Sequence, residues 1–178
     1  MNHDSLARVA RLSRLLRWLV WAALAALIAI HVLLWLSGSP EWLTQVLDGA
    51  IHVQVETTTD RLLGLAATLP STLLTAYGLY RLARMLGRFE IGDVFSIESI
   101  GHLRAFGLAT LASGAVALLE APLLSSLLAP SVAAEGHTLQ LVIRSSDLWT
   151  MLVGALMFVI GEIMVEARRI AAENAEIV

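Results

Sequence analysis

Four apolar stretches, each long enough to cross a bilayer, limit what this chain can become. They occupy about 15–36, 62–82, 103–124 and 148–165. A hydrocarbon core of roughly 30 Å takes about 20 helical residues at about 1.5 Å each. Inside lipid a backbone must satisfy its own hydrogen bonds, and runs of this length do so as helices. The 178 residues are 57% hydrophobic, too apolar for a water-soluble domain of that size. The expectation is an all-α membrane protein: one membrane domain, 1–178, with four transmembrane helices in two helical hairpins. There is no cysteine, which excludes disulfides, thiolate metal sites and a cysteine nucleophile.

Arg8, Arg11, Arg14 and Arg17 precede the first span at three-residue spacing, so a helix gathers them on one stripe. Trp18 and Trp21 near its start, and Trp35 near its end, read as an aromatic belt. A cleaved leader would need a shorter apolar run and an A-x-A ending, which Ser37-Gly38-Ser39 does not supply. The stretch 37–60 carries only acidic charge, and 51–56 alternates apolar and polar like a strand. Thr57-Thr58-Thr59-Asp60 offers N-cap chemistry for the second span, within which Pro70 predicts a kink. Between the hairpins, 81–104 is the long charged segment, with Ser96 as the expected N-cap of the third helix and Glu98 in its first turn. Residues 138–145 alternate again, and Ser145-Ser146-Asp147 open the fourth span. Pairing the two alternating segments would satisfy their backbones, so a small two-stranded β-sheet over the outer loops is expected. The tail 166–178 should continue as a short amphipathic helix.

All twelve basic residues are arginine, and ten of them lie in the N-terminal arm, the 81–104 stretch and the tail. The positive-inside rule therefore puts both termini and the central stretch in the cytoplasm. Shifting the chain by 87 residues places Arg17 on Arg104, Asp60 on Asp147 and Arg81 on Arg168. That offset is consistent with a tandem two-span repeat, 12–81 and 99–168, and equally with constraints shared by helical hairpins.

Ionisable groups within the spans are His31, Glu120 and Glu162. Glu120 falls near the outer end of its helix and Glu162 near the inner end of its own, so they cannot share one carboxylate site. His31 and Glu120 lie at similar depth and can form an imidazole–carboxylate pair, or each can be satisfied by nearby hydroxyls. Outside the spans, His52, His137, Glu56 and Glu135 suit a metal by type but match no metal spacing. No cofactor is expected. Gly107, Gly114, Gly154 and Gly161 lack the context of a phosphate loop and are read as points of close helix approach. The inner arginines Arg81, Arg84, Arg88, Arg104, Arg168 and Arg169 have three readings: orientation signal with anionic lipid, a docking face for a soluble partner, or nucleic-acid binding. The last is disfavoured, because Glu90, Asp93 and Glu98 dilute the charge and no stacking aromatics interleave with it.

The run G-R-F-E-I-G-D-V-F-S-I-E-S-I-G-H-L-R-A-F-G at 87–107 resembles the segment joining spans two and three in the DUF2975 family of bacterial membrane proteins. The ending G-E-I-M-V-E-A-R-R-I-A-A-E-N-A-E-I-V is similar to that family's close, with Ile97 departing from a common proline. The resemblance implies four spans in the cytoplasmic (inner) membrane and no established activity. It also implies a soluble partner of the helix-turn-helix Xre type, since such regulators are often encoded beside family members. The expectation is a regulatory or interaction protein docking a soluble partner on its inner face. The alternative is a small transporter or channel subunit, a homo-oligomer using His31 and Glu120. With no nucleophile–base or metal constellation in the sequence, an enzyme is not expected.

Overall fold

The computed structural model describes residues 3–38, 57–93, 95–128 and 143–176. These form four long helices: α1 (His3–Ser37), α2 (Thr58–Glu90), α3 (Ile97–Leu128) and α4 (Ser145–Glu176). Each contains a segment long and apolar enough to cross a membrane. The charged arm 3–17 is continuous with the first span, and the tail is continuous with the fourth.

The helices pack in chain order, α1 on α2, α2 on α3 and α3 on α4, so α2 and α3 form the centre and α1 and α4 flank it. The buried positions are mostly small: Gly64, Ala67, Thr68, Gly78 and Ala83 on α2, and Ser99, Gly107, Ala109, Ser113, Gly114 and Ala121 on α3. Leucines and isoleucines point outward instead, among them Leu19, Leu33, Leu73, Leu108, Leu119, Leu152 and Ile163. That inversion is what lipid demands. Hydrocarbon is as apolar as leucine, so burying leucine gains little, whereas small residues allow close backbone contact. The α3–α4 seam shows it directly. A Cβ on Gly154 would lie 2.8 Å from the Gly107 carbonyl oxygen, and one on Gly114 3.1 Å from that of Asp147. Gly107, Gly114, Gly154 and Gly161 are thus points of close helix approach, as their spacing predicts.

Several helix boundaries follow the local chemistry of the chain. Thr57 and Asp60 form a reciprocal capping box, the Asp60 amide donating to Thr57 Oγ1 at 3.2 Å and the Thr57 amide to Asp60 Oδ2 at 2.8 Å. At its other end α2 stops on Gly92, whose φ of 82° suits only a residue without a Cβ. The Gly92 amide bonds the Phe89 carbonyl at 3.1 Å and the Asp93 amide the Arg88 carbonyl at 3.1 Å, a Schellman closure. Ser96 then caps α3, accepting from the Ser99 amide at 3.1 Å, while Ser99 Oγ donates back to the Asp93 carbonyl at 2.7 Å. Pro70 lies inside α2, which remains one helix from Thr58 to Glu90.

Two expectations need correction. Among the described residues there is no strand, so the two-stranded sheet has no support. Residues 51–56 and most of 138–145 lie outside the described residues; Ile143 and Arg144 are coil, and Ser145 already belongs to α4. The Asp147 and Leu148 amides bond the Arg144 carbonyl, so helix nucleation takes the end of that alternating run. Trp35 is not a belt residue either. It is 1% exposed, lying flat on Gly64 in a cluster with Ala67, Ala121, Leu124 and Leu128. Trp18 and Trp149, 66% exposed each, keep the outward position of interfacial aromatics.

Candidate functional site

Two polar clusters occupy opposite ends of the described helices. At the end away from the termini, hydroxyls on successive turns of α2 gather the intramembrane polar groups. Trp35 Nε1 donates to Thr68 Oγ1 at 3.0 Å, and Thr68 Oγ1 donates to the Gly64 carbonyl at 3.0 Å. Thr72 Oγ1 bonds the Thr68 carbonyl at 3.0 Å and lies 3.2 Å from His31 Nδ1. Ser71 Oγ reaches the Thr68 carbonyl at 3.1 Å and also bonds Glu120 Oε1. Of the two readings for His31 and Glu120, a direct pair or satisfaction by nearby hydroxyls, the contacts are those of the second, in a track: His31, Thr72, the Thr68 carbonyl, Ser71, Glu120. Proton counting constrains it. Thr72 has one proton; when it serves the Thr68 carbonyl, His31 Nδ1 must be the donor toward Thr72. Ser71 donates to an ionised Glu120, or receives from a protonated one and donates to Thr68 instead. Among the described residues no side chain or backbone group meets buried His31 Nε2 in hydrogen-bond geometry.

Arg61 stands at the entry of the second span. Its Nη1 donates to the carbonyls of Trp35 at 3.1 Å and Gly38 at 3.0 Å. It thus satisfies carbonyls at the C-terminus of α1, where no basic residue of α1 stands in the last turn. No sequence signal marks this role, because the cap comes from the next helix.

At the termini end, the arginines singled out for docking are mostly engaged. Arg17 pairs with Glu90 at 3.2 Å, passing over Gly87, where a Cβ would lie 3.1 Å from its Nη1. Arg88 pairs with Asp93 at 3.2 Å and with Glu98, joining the end of α2 to the start of α3. Arg81 reaches the Gly101 carbonyl at 3.4 Å and sits 5.8 Å above the Tyr77 ring. Arg104 pairs with Glu162 at 2.6 Å, its stem against Gly161 and its guanidinium 5.8 Å from the Phe158 ring centroid. Glu162 is therefore satisfied by an arginine rather than by a hydroxyl. Arg168 donates to the Phe95 carbonyl at 2.7 Å, and Arg169 pairs with Glu166 at 2.5 Å and Glu173 at 3.5 Å. Arg84 is exposed and has no carboxylate partner among the described residues.

The 87–107 segment is thus one clasp, closed by Gly92, the Ser96–Ser99 turn and the Arg88 ion pairs. A family model, DUF2975, a protein of unknown function, matches residues 49–178. The chain belongs to the DUF2975 family. No curated protein and no solved structure matches it. In this DUF2975 protein the match takes in the clasp, the α3–α4 glycine seam and Glu120, whereas α1 with Arg17 and His31 precedes it. It is a multi-pass membrane protein. Among the described residues no group of three metal-ligating side chains occurs, and His52, His137, Glu56 and Glu135 lie outside them.

Proposed function

We propose that this DUF2975 protein is a regulatory or interaction protein of the bacterial cytoplasmic membrane, with both termini in the cytoplasm. It docks a soluble partner on the inner face formed by the clasp and the α4 tail. The supporting observation is an apolar surface in an otherwise charged place. Ile91, Phe95 and Ile97 are 74%, 72% and 71% exposed, beside the ion pairs of Arg88 and Arg104 and so at the charged ends of the spans. Next to them a groove of about 260 Å³ is lined by Phe95, Ile100, Met164, Ala167, Arg168 and Ala171. Apolar groups exposed outside hydrocarbon mark contact surfaces, and flanking charges select the partner. The soluble partner implied by the family resemblance is a helix-turn-helix regulator. The internal ion pairs move the weight of this reading from bare arginine charge to the apolar groove. Ile91→Asp combined with Phe95→Asp should abolish co-purification of the neighbouring-encoded regulator from co-expressing cells. Undiminished recovery would remove the reading.

A second reading, a small transporter or channel subunit acting as a homo-oligomer, is favoured by the hydroxyl track between His31 and Glu120. It predicts a flux in proteoliposomes that Glu120→Gln suppresses. Equal flux from the variant and from empty vesicles would remove it.

A further inference from the structure

At the termini end, α1 and α2 part around a groove of about 390 Å³ lined by Arg17, Trp21, Ala83, Arg84, Gly87 and Arg88. Among the described residues all of its charged lining is arginine. The carboxylates that engage Arg17 and Arg88, namely Glu90, Asp93 and Glu98, are not part of the lining. Each guanidinium carries five donors in a planar fork, so the single carboxylate on Arg17 and the two on Arg88 fix the forks' directions and still leave N–H groups on each. Arg84 contributes a cation with no carboxylate partner among the described residues. Gly87 keeps the floor open: the nearest atom to a Cβ built there is Arg17 Nη1, at 3.1 Å. Trp21 forms the wall toward the hydrocarbon, its ring edge-to-face with Tyr80 at a centroid distance of 6.2 Å.

Depth selects among anions. The apolar stretch of α2 ends near residue 82, so at about 1.5 Å per residue Arg84 stands about 3 Å and Arg88 about 9 Å beyond it. The headgroup layer occupies about 5–8 Å on each side of the hydrocarbon. Arg84 stands within that layer and Arg88 at its outer edge, and Trp21 lies at its apolar boundary, where indole rings anchor. A basic pocket between membrane helices at this depth fits a phosphodiester headgroup.

We propose that the Arg17–Arg84–Arg88 groove is a binding site for the headgroup of an anionic phospholipid, with acyl chains running down beside Trp21. A zwitterionic headgroup would bring an ammonium into a lining that, among the described residues, has no carboxylate to receive it. The site is separate from the apolar docking groove at Phe95 and does not depend on it. Native mass spectrometry of the full chain, released from detergent with equal phosphatidylglycerol or phosphatidylcholine, tests the assignment. The wild type should retain phosphatidylglycerol in preference to phosphatidylcholine. Arg84→Gln should weaken that retention about fivefold. Gly87→Leu, which fills the floor and removes no charge, should weaken it comparably, and Arg169→Gln, on the tail, should leave it unchanged. Equal retention of both lipids, or wild-type retention by both groove variants, would overturn the proposal. Glycerol phosphate displacing the lipid at matched concentration would show a soluble phosphate ester to be the ligand, and would overturn it too.

Discussion

Glycines that look alike in the sequence do different work in this protein. Gly154 and Gly101 both sit inside helices, yet a Cβ on Gly154 would meet the α3 backbone, while nothing lies within 4 Å of one on Gly101. Gly101→Ala should therefore be neutral or raise stability by about 0.5–1 kcal/mol through helix propensity. Gly154→Ala should instead force α3 and α4 apart and lower the unfolding temperature in detergent. Thermal unfolding of the two variants side by side checks this; equal shifts would contradict the close seam. Trp35 carries a similar distinction. Its hydrogen bond to Thr68 should be worth about 0.6–2 kcal/mol in a bilayer. Trp35→Phe should lose that increment and keep the contact with Gly64, as read by denaturant unfolding in mixed micelles. The apolar character of these positions was legible in the sequence. Which glycine touches a backbone was not, since spacing of seven residues puts two glycines on one face without saying what they face.

The clasp shows how much of an element the local chemistry writes. Thr57 with Asp60, Ser96 with Glu98 in the first turn, and Gly92 at a positive φ all end or begin helices where their side chains allow. These signals act over a few residues, so a sequence read locally finds them. Gly92→Ala would put an L-residue in the left-handed region, at about 1–2 kcal/mol. Hydrogen exchange should then quicken at the amides of residues 92 and 93, whose bonds close α2, while the α3 interior is unaffected. Unchanged protection at both amides would mean that the closure is held by the Arg88 ion pairs and not by the turn. Partners drawn from another helix escape local reading. Arg61 capping α1, Arg104 meeting Glu162 and Ser71 meeting Glu120 are separated by 26, 58 and 49 positions in the chain. At the described end of the 138–145 alternation, Ser145 beside Asp147 goes to helix initiation instead.

For the whole molecule, orientation is the property the arginine distribution predicts most directly. The chain has no cysteine, so single-cysteine variants need no background changes. Asp48→Cys should react with a membrane-impermeant maleimide in spheroplasts, and Ile91→Cys should react only after lysis; the reverse pattern would invert the topology. The sequence alone determined that four segments enter the membrane and where several helix ends fall, because hydrophobic length and capping are local quantities. Which faces meet was left to the tertiary structure. In lipid, an outward leucine and an inward one have nearly the same solvation energy, so periodicity no longer separates core from surface. Only the packed helices decide that α2 and α3 are central and that His31 and Glu120 meet hydroxyls rather than each other. They also decide that the arginines at the termini end are largely paired, and that Arg17, Arg84 and Arg88 share a groove between α1 and α2. Each of these depends on side chains from separate helices reaching one point in space, which no local pattern along the chain records.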